Sequence, residues 1–295
     1  TLTLPVSRKP VYGPCISLTV DGLTGGHSGV EIDKGRANSN LALARVLLSL
    51  DGAVAYSLVT MEGGLKDNAI PRMSSADVIV AEEDGERLEA VVRETEAALC
   101  REYAVTEPGL RVTVKSRGIG DENALTQESG KRSLALINLL PNGIQSMSAD
   151  IPGLVETSLN LGVLHLNETE LKLHYAVRSS VQSAKDFLVE KIACLAEILG
   201  GSLTTEGSYP AWEYRKDSVL REDMVRIYRE MYGKEPVIQA IHAGLECGLL
   251  ADKIEDLDAV SIGPDMVGIH TTEEKLSIAS TRRVWEYVLR VIACK

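Results

Sequence analysis

A chain of 295 residues that is 44% hydrophobic and 25% charged has the composition of an ordinary globular protein of roughly two domains, which excludes collagen-like, disordered and coiled-coil chains. Its 31 Lys and Arg stand against 42 Asp and Glu, and the net charge of -11 opposes capture of nucleic acid or anionic lipid, so small molecules or protein are the expected partners. No apolar run approaches the ~20 residues needed to cross a bilayer, and the five cysteines, odd in number and never spaced as CxxC, favour neither a disulfide framework nor a thiolate zinc site, so a reducing cytoplasm is the expected compartment.

The opening TLTLPVSRKP alternates like a strand, with no Met and no leader pattern, and residues 1–10 are expected to connect from a catalytic domain, a start in mid-domain. Residues 16–20 alternate again, the Gly-rich GLTGGHSG follows, and a helix is predicted over 35–50. Strands are predicted over 53–62 and 75–82, joined by the turn-forming GGLKDNAIP. A helix follows over 84–103, with Leu88, Val91, Val92 and Leu99 on one face, and then a strand over 112–116. This β-α-β-β-α-β order is that of a ferredoxin-like sandwich.

A related order returns downstream: a helix over 133–140, strands over 157–166 and 170–178, a helix over 183–199, and Tyr209 on or near a further strand. Residues 11–210 are therefore expected to be a doubled ferredoxin-like domain with halves at about 11–118 and 119–210. After Pro210 the pattern changes to a helix over 218–232, an apolar strand over 236–240, the loop HAGLECG, an apolar segment over 258–262, the loop GPDMVGIHTTEE and a helix over 275–293. Helices alternating with short buried strands imply part of an α/β domain at 211–295, thin in strands for a sheet covered on both faces.

Several side chains stand out chemically. His27 and Ser28 lie between glycines, where exposed amides and a titratable imidazole can meet an anionic or polarised oxygen; a flexible turn with a surface histidine is the plainer alternative. Asn68 in KDNAIPR can offer an amide to a ligand or simply make an Asx turn. Arg178, ending the strand LKLHYAVRSS, can bind a carboxylate bidentately or be solvated. His242 and Glu246, four apart at the end of an apolar segment, suit a metal, a hydrogen-bond network or catalysis, or a capped helix start. His270, in a loop with Asp265, Glu273 and Glu274, has the oxygen and nitrogen surroundings of a zinc or manganese ligand, although one histidine does not make a site.

Taken together, GLTGGHSGVEIDKGRANSNLALAR, DNAIPR, HAGLECGLL and SIGPDMVGIHTTEEKLSIAST resemble, in order and spacing, the M20 family of co-catalytic metallopeptidases, and within it the cytosolic aminoacyl-histidine dipeptidases. The resemblance runs essentially from Thr1 to Lys295, and the motifs are specific jointly, whereas GGHSG alone also occurs in related deacetylases and carboxypeptidases. It implies an α/β catalytic domain holding two zinc ions, with cobalt or manganese as alternatives, and an inserted ferredoxin-like lid that forms a homodimer and closes over a dipeptide. By motif, His270 corresponds to the C-terminal metal ligand and His27 to the lid histidine that reaches the partner subunit's site to stabilise the oxyanion. Asn68 and Arg178 correspond to lid contacts with substrate, Arg178 to the holder of its C-terminal carboxylate, and His242 and Glu246 to the loop beside the metals.

The chain departs from that family in lacking its N-terminal metal-ligand segment. None of the five histidines stands in a His-x-Asp motif, and Glu82-Glu83 follows a predicted lid strand rather than a catalytic one. The expectation is a lid plus the C-terminal part of the catalytic domain of a dinuclear-zinc dipeptidase cleaving Xaa-His substrates, inactive by itself and without stably bound zinc. A non-catalytic dimerisation or binding module, and an M20 deacetylase or carboxypeptidase, are the alternatives.

Overall fold

In the computed structural model, which describes residues 1–240, 246–267 and 273–294, the N-terminal alternation yields two successive strands, β1 (Leu2–Pro5) and β2 (Arg8–Asp21). The glycine loop that follows holds the short β3 (Gly26–His27) and a 3₁₀ turn at Ile32–Lys34. Helix α1 (Ser39–Leu50) starts where the Asn38 side chain accepts the backbone N–H groups of Asn40 and Leu41, at 3.0 and 3.4 Å. The helix predicted from residue 35 thus begins only at Ser39, because the cap that satisfies its first amides lies at Asn38. Strands β4 (Tyr56–Gly63), β5 (Ala69–Ile70) and β6 (Ser74–Val80) precede α2 (Gly85–Glu102), which buries Leu88, Val92 and Leu99 as its periodicity requires.

Strand β7 (Arg111–Leu125) is far longer than the segment predicted for it and runs through the expected boundary between the halves. It leads into α3 (Gln127–Leu139), β8 (Gly143–Met147), β9 (Val155–Leu166), β10 (Glu170–Ser179), α4 (Gln182–Ile198) and β11 (Ser202–Leu203). The helix predicted from 133 starts earlier because Thr126 caps it, accepting the Ser129 N–H at 3.3 Å. The strand expected near Tyr209 is β11 instead; Tyr209 itself is in no strand.

These strands form one nine-stranded sheet in the order β11-β1-β10-β9-β4-β6-β2-β7, with β8 also paired to β9. Every pairing in it is antiparallel. Within β2-α1-β4-β6-α2-β7 the strands lie in the spatial order fourth, first, third, second. The same order recurs in β11-β1-β10-β9, so the second ferredoxin-like half is discontinuous: β1 is its first strand, and the whole first half is inserted before α3. Residues 1–10, expected to connect from another domain, are paired inside this sheet, β1 with β10 and β11 and the start of β2 with β7. The two second-position strands meet at a seam where Met61, Glu62 and Gly63 pair Leu166, His165 and Leu164. Both halves share one core, in which Leu43 and Leu47 of α1, Leu136 of α3 and Ile192 of α4 cover Leu18, Val78, Leu161 and Leu171 of the sheet.

The chain divides into two compact units, Thr1–Ser208, which contains this sheet, and Tyr209–Lys295. The second contains α5 (Val219–Tyr232), α6 (Glu246–Lys253), the paired β12 (Met266–Val267) and β13 (Lys275–Leu276), and α7 (Ile278–Ala293). Its core is small: Met224, Ile227 and Tyr287 are buried together, and the Tyr287 hydroxyl donates to the Met224 carbonyl at 2.6 Å. Ile278, Trp285, Leu289 and Ile292 of α7 stay exposed. Residues 236–240 and 258–262, predicted as buried strands, form none. A strand of that kind exists only through neighbours that pair its backbone and cover both faces, and the described part of this unit supplies no such neighbours.

Candidate functional site

The loop between β2 and α1 carries GGHSG, and its fold follows from backbone freedom and two charged side chains. Gly26 has φ 145°, and a Cβ there would collide with the Arg36 guanidinium and the Glu31 carboxylate, so glycine is required. Glu31 accepts the backbone N–H of His27 at 2.8 Å and pairs with Arg36 at 3.0 Å, while Arg36 also donates to the Gly25 carbonyl. The His27 amide, followed by the Arg36 charge, holds the Glu31 carboxyl below its ordinary range.

The His27 ring is oriented by its own loop. Nδ1 accepts the backbone N–H groups of Gly29 at 3.0 Å and of Val30 at 3.2 Å. An imidazole nitrogen that accepts carries no proton, so the neutral ring is protonated at Nε2, and that N–H is left free as a donor. Burial, and next the neighbouring Arg178 charge, lower the imidazole pKa against a smaller opposing effect of Glu31, which favours the neutral form at pH 7.

β3 pairs β5, setting Gly26 opposite Ile70 and His27 opposite Ala69, and Ser28 donates its backbone N–H to the Asn68 carbonyl at 2.9 Å. GGHSG and DNAIPR, separate in sequence, thereby form one patch. Asn68 is exposed, and its side-chain amide has no hydrogen bond among the described residues. The segment beneath it is held from the other half of the sheet: Asn160 of β9, buried, donates to the carbonyls of Asp67 at 3.1 Å and Ala69 at 2.9 Å. Gly162 lies under the same turn, where a Cβ would strike the backbone of Lys66 and Asp67.

Arg178 arrives on β10, opposite Ser158 of β9. A methyl group at Gly29 would lie 2.9 Å from His27 Cε1 and 3.4 Å from Arg178 Cζ, so the imidazole and the guanidinium flank the same small residue. His27 comes from the first half of the sheet and Arg178 from the second, and they meet within one chain. The Arg178 Nε is buried with no hydrogen-bond partner, and the guanidinium has no ion pair among the described residues. Burial lowers its pKa, while Asp67 opposes the shift. Ser28, 2% exposed, also has an unpartnered hydroxyl. A free N–H donor beside a desolvated, unpaired cation is an arrangement for an anionic group.

Of the residues singled out from the sequence, the structure brings His27, Asn68 and Arg178 together. Glu246 is the first residue of α6 and is exposed, and His242 and His270 lie outside the described residues. His165 and His174, expected on strand faces, are on β9 and β10. Glu82 and Glu83 stand in a 3₁₀ turn before α2. Sequence reasoning missed Glu31, Arg36 and Asn160. Glu31 left a trace in standing four residues after His27, whereas Asn160 acts across the seam and left none. Among the described residues no three His, Cys, Asp or Glu side chains are grouped to hold a metal, so the ligand set of a metallopeptidase is not met there. No described helix is long and apolar enough to cross a membrane.

Residues 18–107 match the M20 peptidase dimerisation domain. The chain is 34% identical to the cytosol non-specific dipeptidase of Escherichia coli (strain K12) over 294 residues, which is 99% of this chain and 60% of that protein. It superposes on the crystal structure of the aminoacylhistidine dipeptidase from Vibrio alginolyticus with a TM-score of 0.93 and 30% identity, again over 99% of this chain and 60% of the other. The chain thus spans 60% of the length of each of these relatives.

Proposed function

We propose that this chain, whose residues 18–107 match the M20 peptidase dimerisation domain, is part of an M20 peptidase and that its first unit is the substrate-closing lid of a dipeptidase that hydrolyses Xaa-His dipeptides in the cytosol. Arg178 binds the C-terminal carboxylate of the dipeptide by a charge-assisted, two-pronged hydrogen bond. His27, neutral and protonated at Nε2, donates to the carbonyl oxygen as it gains negative charge on attack. Asn68 offers its amide to the backbone of the same short substrate. The unpaired guanidinium of Arg178 beside the oriented His27 ring is the observation that carries this reading.

Zinc, the metal expected from the family resemblance, supplies a polarised carbonyl and a nucleophilic water when bound. The described residues offer no ligand set for it, so no step here is routed through the metal. A homodimer formed through the lid is proposed on the strength of the matched domain. Activity belongs to the protein completed by the part of its relatives that this chain does not span, and the chain alone is expected to be silent.

The test has two arms. Binding of an Xaa-His dipeptide and of its C-terminal amide is compared by calorimetry on the purified chain and on R178M. A preference for the free acid that disappears in R178M supports the assignment, and equal binding of acid and amide by the native chain sinks it. Zinc content and dipeptide hydrolysis are then measured with and without a co-expressed segment covering the remainder of the parent gene. Restoration of both by that segment supports the dipeptidase, and their absence in the completed protein removes it.

A further inference from the structure

Glu107 belongs to none of the motifs above, yet it is a carboxylate only 1% exposed, in the turn between α2 and β7. One oxygen accepts the backbone N–H of Thr24 at 2.6 Å and the other that of Ala37 at 3.1 Å. Thr24 stands just before GGHSG and Ala37 just before the Asn38 cap of α1, so one carboxylate ties both ends of the loop that carries His27. The turn beneath it is itself fixed, because the Glu107 N–H donates to the Tyr103 carbonyl at 2.8 Å and its carbonyl accepts the Leu110 N–H at 3.1 Å.

We propose that Glu107 is a positioning residue for His27. Between its tied ends the loop contains only a two-residue strand and a 3₁₀ turn of its own. The bonds from Gly29 and Val30 to Nδ1 persist only while the loop keeps one shape, and they set the tautomer. Glu107 therefore acts through backbone, at a distance, on which ring nitrogen bears the proton. A buried carboxylate whose two oxygens each accept a backbone amide is suited to this, since both bonds are directional and fix the two ends of the loop against one rigid group. The loop's inner latch, Glu31 with Arg36, fixes the backbone next to His27; Glu107 fixes the frame that latch sits in.

The effect on binding rests on His27 acting as the donor to substrate, whereas the effect on the tautomer does not. The experiment records ring ¹⁵N resonances of His27 above its pKa in the native chain and in E107Q, together with thermal unfolding and affinity for an Xaa-His dipeptide. In the native chain the neutral Nε2–H pattern is expected. In E107Q, still cooperatively folded, the pattern moves toward a mixture of tautomers and dipeptide affinity drops about tenfold. The double variant H27A/E107Q is expected to lose no more affinity than H27A. E107D keeps the carboxylate but is a methylene too short to reach both amides, and it is read in the same way should E107Q not fold. A lowered unfolding temperature with unchanged His27 resonances makes Glu107 merely structural and overturns the proposal. A native chain that binds no dipeptide, while its tautomer still responds to E107Q, overturns the reading of the site and leaves the positioning role standing.

Discussion

Asn160 accepts, through Oδ1, a hydrogen bond of 3.2 Å from the side-chain amide of Asn38, and so joins β9 of one half of the sheet to the cap of α1 in the other. The same Asn160 amide holds the carbonyls of Asp67 and Ala69, beneath Asn68. Asn160→Ala leaves these buried groups without partners, each costing about 1–3 kcal/mol when unsatisfied. The expected loss is about 3 kcal/mol in urea unfolding, with weaker dipeptide binding because the Asn68 segment is released. A change below about 0.5 kcal/mol, the usual range for surface substitutions, shows that the seam does not depend on it.

Acid should weaken this fold before carboxylates begin to titrate. Burial lowers the pKa of both His27 and His174, the latter hydrogen-bonded between Nδ1 and Thr1 Oγ1 at 3.0 Å. With the folded pKa below the unfolded one, the unfolded chain takes up protons first, so stability present above about pH 6.5 is lost as pH falls toward the folded values. Denaturant midpoints at pH 7.5 and 5.5 measure this, and H27Q should shrink the difference. A midpoint independent of pH across that interval contradicts the assignment.

Arg178 should separate binding from stability. Its guanidinium lacks an ion pair among the described residues and its Nε lacks a partner, so burying it costs free energy that the Asp67 charge offsets only in part. R178M is expected to unfold at an equal or higher temperature while affinity for a free-acid dipeptide falls at least about tenfold. Loss of both together assigns Arg178 a structural role instead.

The two units should melt separately. Ile227 and Tyr287 stabilise only the small core of the second unit. Ile227→Ala, a large-to-small core change worth about 2–5 kcal/mol, should lower one calorimetric transition and leave that of the nine-stranded sheet in place. A single transition shifted as a whole refutes this.

Local pattern revealed much of the fold and part of the site. The helix stripe Leu88, Val92, Leu99 and the alternation of β9 and β10 are periodicities that a chain carries wherever it folds, and the motifs around His27, Asn68 and Arg178 picked out residues that the fold brings together. Boundaries slipped where a cap outweighed a stripe, at Asn38 and Thr126. Glu107 and Asn160 were invisible because a buried carboxylate and a strand asparagine have meaning only through amides far away in sequence.

The sequence by itself determined the long helices and most of the long strands of the sheet and marked His27, Asn68 and Arg178 as candidates, since periodicity and motif both depend on neighbours a few residues apart. Tertiary structure alone decided that β1 serves the second half of the sheet, that His27 and Arg178 flank Gly29, and that the His27 proton resides on Nε2. It also decided that residues 236–240 stay out of any strand. Each of these depends on a partner for a backbone edge, a ring nitrogen or a charge, and such partners are chosen by the packing of distant segments rather than by local propensity.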